Sequence, residues 1–117
     1  MLRPVLFHIR AKEEVRALPK VVRVKLGSAL MAMQRGFNLG MPVSKPMPAA
    51  GSGVEELRVH DESGQYRLLY LRKSGAGILV LRAFHKKTRQ TPKAEIDLAR
   101  RRLKEMMNAH EQVGGNA

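Results

Sequence analysis

The stretch VEELRVH-DESG-QYRLLYLRK-SGAG-ILVLRAF, residues 54–84, decides the fold. In 54–60, Leu57 and Val59 alternate with Glu56, Arg58 and His60, the period-two pattern of a strand with one buried face. Asp61-Glu62-Ser63-Gly64 is a cluster of turn formers. Residues 65–73 are more continuously apolar, which suits a central strand covered on both faces. Ser74-Gly75-Ala76-Gly77 is a second turn, and 78–84 is a third strand. Connections this short imply antiparallel hairpins.

Working outward, residues 3–9 read as a first strand through Val5, Phe7 and Ile9. From Ala11 the period lengthens, and Leu18, Val22, Leu26, Ala29 and Met33 fall on one helical face. Pro19 suits a helix start and not its interior, so a short helix near 11–17 and a longer one near 19–35 are expected. Residues 36–53 hold four Gly and three Pro and read as a long loop. Thr91-Pro92 opens a last helix near 92–109, with Ile96, Ala99, Leu103 and Met106 on its buried face. Residues 110–117 read as a disordered tail. The expected architecture is α+β: a small antiparallel sheet, two N-terminal helices on one face, and a C-terminal helix. A chain of 117 residues leaves room for one domain, 1–117.

Composition narrows the chemistry. The chain carries 22 Lys+Arg against 10 Asp+Glu, a formal net charge of +12. So much surplus in a small domain repels itself and points to an anionic partner. The absence of cysteine excludes a disulfide framework, a thiolate zinc site and a cysteine nucleophile. His8, His60, His85 and His110 lack paired carboxylates at ligand spacing, so neither a metal nor any other cofactor is expected. No apolar run is long enough to span a bilayer, and the first ten residues do not resemble a signal peptide. A cytoplasmic location is the expectation.

The charge is uneven. Residues 54–81 balance at four basic and four acidic, whereas 82–104 hold nine basic residues against Glu95 and Asp97. Such a run is usually a solvated helix face, but a merely solubilising surface mixes both signs. The residues with chemical promise are Arg58 and Arg67 on neighbouring strands, Arg82 on the third strand, and His85-Lys86-Lys87 at its end. Taken singly, each arginine would pair with a nearby carboxylate such as Glu55, Glu56, Asp61 or Glu62. Taken together they suit RNA cleavage without metal. The 2′-OH attacks the adjacent phosphate, guanidinium groups stabilise the added charge, and His85 or a lysine of lowered pKa moves the proton.

The ordered series Gly53-Val54-Glu55-Glu56-Leu57-Arg58-Val59, Gln65-Tyr66-Arg67-Leu68-Leu69-Tyr70, Leu81-Arg82-Ala83-Phe84-His85-Lys86-Lys87-Thr88 and Thr91-Pro92-Lys93-Ala94-Glu95-Ile96 resembles the phage-derived HigB branch of the RelE-like toxins. The helical N-terminal part, with Leu18-Pro19, is similar to it too. The resemblance implies a RelE-like fold and a ribosome-dependent mRNA endonuclease of a type II toxin–antitoxin system. It implies mRNA and ribosomal RNA as partners. It also implies a cognate helix-turn-helix antitoxin, through which alone operator DNA would be bound. Carried over by residue, Arg58 and Arg67 bind the phosphate and stabilise its charge, Phe84 is the aromatic near the site, and Lys86 and Lys87 are the basic pair after the last strand. With the residues singled out by their own chemistry, the expected catalytic set is Arg58, Arg67, His85 and Lys86, and the expected RNA-binding set is Arg82, Phe84, Lys87, Arg89 and Lys93. No metal is implied.

Two other readings stand beside it. One is a non-catalytic member of the same fold that binds RNA or an antitoxin. The other is a lipid-surface binder through helix 92–109, whose apolar stripe lacks an aromatic anchor and is better explained as core. No membrane partner is therefore expected.

Overall fold

The computed structural model describes residues 2–115, with side chains described as far as Ala109. The chain runs β1 (Val5–Phe7), α1 (Ile9–Arg16), α2 (Lys20–Gln34), β2 (Ser44–Pro46), a 3-10 turn (Pro48–Ala50), β3 (Val54–Asp61), β4 (Gly64–Ser74), β5 (Gly77–Lys86) and α3 (Lys93–Gly115). The fold is α+β. The strands form one sheet in the order β1-β5-β4-β3-β2. The quoted stretch is its centre, an antiparallel meander with Arg58 opposite Arg67 and Leu68 opposite Ala83.

Two expectations are corrected at the sheet edges. The sheet is mixed and not purely antiparallel, because β1 lies parallel to β5, with Val5 opposite Ile78 and Phe7 opposite Val80. Nothing in a hairpin turn dictates the direction of β1. The chain leaves it through two helices and re-enters the sheet at the opposite edge. Residues 36–53 are not all loop. Ser44, Lys45 and Pro46 pair with Leu57, Glu56 and Glu55 as edge strand β2. Pro46 cannot donate to a ladder, so an edge is where it is tolerated.

Both faces of the sheet are covered, which is why β4 is so apolar. Leu57, Tyr66, Leu68, Tyr70, Ile78 and Val80 meet Val22, Leu26, Leu30 and Met33 of α2 on one face. The predicted helical stripe is thus the buried one, with Leu18 and Ala29 packed at its margin. Pro19 sits at the N-cap of α2 with ψ 148°, outside the helix proper. On the second face Val54, Leu69, Leu79, Leu81 and Phe84 meet Ile96, Ala99, Leu103 and Met106 of α3. Each fully buried Leu or Val contributes about 1.5–3 kcal/mol.

α3 packs on β5 and on the 3-10 turn, not across the whole second face. The ends of β3 and β4 that carry Arg58 and Arg67 stay uncovered by it. The backbone of α3 continues to Gly115, and the rest of the expected tail at 110–117 lies outside the described residues. Among the described residues, no helix is long and apolar enough to cross a membrane.

Candidate functional site

Strand register explains which basic residues meet. On the second face of the sheet, Lys86, Gln65 and His60 form one row across β5, β4 and β3, paired Gln65 with Lys86 and His60 with Gln65. The next row is Phe84, Arg67 and Arg58. A third contains Leu69, Glu56 and Lys45, with Lys45 contributed by β2. Period-two alternation therefore puts Arg58, Arg67, Lys86, His60 and Lys45 on one face, beyond the part that α3 covers.

These residues line two adjoining clefts. One, of about 270 Å³, is bounded by Lys45, Glu56, Arg58, Lys86, Arg89 and Thr91, among others. The other, of about 290 Å³, is bounded by Pro42, Val43, Arg58, His60, Gln65 and Arg67. Arg58 belongs to both. The wall carrying Val43 is held by a backbone hydrogen bond from Arg58 N–H to the Val43 carbonyl at 2.9 Å.

Arg67 is the anchor. Its side chain is 5% exposed, and Nη1 donates to the Tyr66 carbonyl at 2.9 Å. Nε lies 3.5 Å from Glu56 Oε1 and makes no hydrogen bond. Glu56, itself buried, accepts a hydrogen bond from the Thr91 hydroxyl, the group that the sequence suggests as a helix cap. Burial lowers the pKa of Arg67; Glu56 opposes the shift and Arg58 adds to it. Burial also lowers Lys86, and Arg67, Arg58 and Lys45 push it further down against Glu56. One carboxylate thus faces several cations, and the surplus can be relieved by an anion. A tetrahedral phosphate is the anion that suits forked guanidinium donors. An amine of lowered pKa beside it can accept a proton. Among the described residues, no group of three His, Cys, Asp or Glu side chains is placed to hold a metal ion.

Of the expected catalytic set, the structure brings together Arg58, Arg67 and Lys86 and leaves out His85. Strand β5 extends to Lys86, so His85 and Lys86 point to opposite faces. His85 stacks on Tyr66 with ring centroids 4.7 Å apart, and a Cβ at Gly64 would collide with its ring.

Two of the expected RNA-binding residues are also placed otherwise. Arg82 is engaged by two carboxylates, with Nη1 2.6 Å from Glu14 and Nε and Nη2 each 3.0 Å from Glu95. Phe84 is 6% exposed and packs in the α3 core, so its ring is not available for a base to stack on. Its face lies 5.6 Å from the Arg82 guanidinium. Arg89 lines the first cleft. Lys87 is exposed outside it, and Lys93 is exposed and 3.8 Å from Asp97.

Lys45, Glu56 and His60 were not among the expected site residues. For His60 and Glu56 the signal was present, since both alternate in phase with Arg58. For Lys45 there was none, because three residues between prolines do not announce a strand.

A double arginine-to-alanine mutant of the E. coli toxin RelE, in the free state, is similar in structure. It is 21% identical, covering 74% of this chain and 86% of that one, with a TM-score of 0.48. No curated protein sequence matches the chain. The family described as Phage derived protein Gp49-like (DUF891) matches residues 13–104. That span contains both arginines, Lys86 and the fold from the middle of α1 to the middle of α3, and the chain belongs to this phage-derived Gp49-like family of RelE/ParE-type toxins.

Proposed function

We propose that this protein is the toxin of a type II toxin–antitoxin system, of the HigB branch, and that it cleaves mRNA on the ribosome. The observation that carries the reading is the convergence of Arg58, buried Arg67 and Lys86 around one carboxylate, at two adjoining clefts that share Arg58. Arg58 and Arg67 bind the scissile phosphate and stabilise the charge that develops on its oxygens. Lys86 Nζ takes the proton of the 2′-OH, whose oxygen attacks phosphorus. The products are a 2′,3′-cyclic phosphate and a free 5′-OH, and the chemistry needs no metal.

Exposed Lys87, Lys93, Arg101 and Lys104 extend the positive surface from the cleft along α3. They dock the protein on ribosomal RNA. A helix-turn-helix antitoxin neutralises the toxin and is its sole route to operator DNA. The site of action is the cytoplasm.

The test is cleavage of a ribosome-bound message, mapped by primer extension, together with growth arrest on expression. Arg67→Ala and Arg58→Ala are expected to lose both while staying folded by circular dichroism. Full toxicity in either variant refutes the site. The Arg67–Glu56 pair favours a second reading, a binding module whose arginines are structural. An uncut message with the wild-type protein bound to the ribosome would establish that one.

A further inference from the structure

We infer that His60 is the general acid of this site, protonating the leaving 5′-oxygen on the side of the phosphate opposite Lys86. The inference rests on the cleavage reading above and adds the group which that reading leaves unassigned. It comes from strand register and from how the clefts divide.

Lys86 and His60 occupy the two ends of one row across three strands, with Gln65 between them. Neighbouring strands are about 4.8 Å apart, so the two backbones stand roughly 10 Å from each other. Both side chains lie on the face that carries Arg58 and Arg67, one row away. Lys86 lines the cleft on the α3 side of Arg58, and His60 lines the cleft on its other side. Arg58 lines both, and Arg67 lines the second. A phosphate bridging the two guanidinium groups therefore has an amine on one flank and an imidazole on the other. In-line displacement at phosphorus needs this arrangement, because the attacking and leaving oxygens sit at opposite apices.

The backbone beneath His60 is fixed. Lys25 Nζ donates to the His60 carbonyl at 2.6 Å, and His60 pairs with Gln65 in the ladder. The ring itself is exposed in the cleft and so is accessible to substrate. The other histidine near this end, His85, is held on the opposite face by Tyr66.

The step balances. The 2′-oxygen forms a bond to phosphorus, and its proton passes to Lys86 Nζ. The bond from phosphorus to the 5′-oxygen breaks, and its electron pair takes the proton of the His60 imidazolium. Water returns both side chains to their starting protonation before the next turnover.

The experiment compares two synthetic messages programmed on ribosomes. One has an ordinary 5′-oxygen at the scissile bond and the other a bridging 5′-sulfur. A thiolate leaves without a proton, because thiols are far more acidic than alcohols. On the ordinary message His60→Gln is expected to slow cleavage by about 10²-fold or more. On the sulfur message its rate is expected to return to within about threefold of wild type, while Lys86→Met stays slow on both. Two results overturn the assignment. One is a His60→Gln variant at wild-type rate on the ordinary message. The other is one equally slow on both messages, which is the signature of a merely structural role. If the wild-type protein cleaves neither message, the cleavage reading itself fails, and that outcome is distinct from a selective loss in the histidine variant.

Discussion

Two clusters of arginine lie within a few residues of one another on the same sheet and behave in opposite ways. In the first, Arg82 and Arg102 share Glu14, and Arg82 also takes Glu95. Arg102 donates to both Glu14 oxygens at 2.8 and 2.9 Å and to the Leu81 carbonyl at 3.0 Å. Two cations meet two carboxylates, and the network ties α1, β5 and α3 together. In the second, Arg58, Arg67, Lys86, Lys45 and Arg89 gather around Glu56, the one carboxylate that lines the two clefts among the described residues. Nearly the same residue types thus make a balanced structural clamp in one place and a surplus of positive charge in the other. What separates them is the count of carboxylates within reach. A basic residue in a sheet carries information about function only after its acids have been subtracted.

The comparison breaks first at Lys86. Lys86→Met removes the proposed base, and cleavage should fall by about 10²–10⁴-fold. Its pKa is held below the ordinary lysine value of about 10.4, first by burial and then by Arg67. On the bridging-sulfur message, whose leaving group needs no proton, the wild-type rate should therefore rise with pH through a point below that value and then level off. Lys86→Arg should abolish this rising limb, because a guanidinium does not lose its proton there. A rising limb that survives in Lys86→Arg would assign the base to another group.

Arg67→Met comes next and separates function from stability. Loss of one donor to a developing oxyanion costs about 10²–10³-fold in rate. Folding is read in the double variant Arg67→Met/Glu56→Gln, which removes both members of the buried pair, and should change by less than about 1 kcal/mol, because such a pair offsets its own desolvation poorly. Urea unfolding checks the second half. A loss of about 3 kcal/mol or more would make Arg67 part of the clamp and not of the site.

Glu14→Gln should do the reverse. It leaves Arg102, a buried residue, and Arg82 short of a partner, and should cost about 2–3 kcal/mol by urea unfolding, less than a fully buried pair because Glu14 is partly exposed. Cleavage per folded molecule should be retained. Burial pushes the Glu14 carboxyl up, but hydrogen bonds from Arg102 and the Ala83 N–H, with Arg82 beside it, hold it below the ordinary value. A depressed carboxyl contributes stability that is complete above the unfolded value of about 4.3 and is lost as pH falls through the folded one. The acid limb of the wild-type stability curve should accordingly flatten in Glu14→Gln.

The meander, both helices of the N-terminal half and the stripe of α2 were legible because alternation and helical period are local properties. The direction of β1 and the existence of β2 were not. Both are set by pairing across long stretches of chain, and three-residue strands have no period of their own. At the site, Arg58 and Arg67 were legible because one short turn places them opposite each other. Arg82 and Arg102 were not separable from them by sequence. Their acids, Glu14 and Glu95, arrive from α1 and α3, and Glu14 lies 68 residues from Arg82 and 88 from Arg102.

His85 gives the smallest effect and the sharpest lesson. It adjoins Lys86 in sequence, and proximity along the chain suggested one catalytic corner. A strand turns its side chains by half a turn per residue, so adjacency within β5 guarantees opposite faces. The ring of His85 contributes a stacking contact with Tyr66 on the α2 side of the sheet. His85→Ala should therefore cost about 0.5–1 kcal/mol in urea unfolding, the usual worth of such a pair. It should leave cleavage of ribosome-bound message at the wild-type rate. A hundredfold loss of cleavage in this variant, with folding intact, would mean that β5 ends before His85 in solution and that its last residues swing to the cleft.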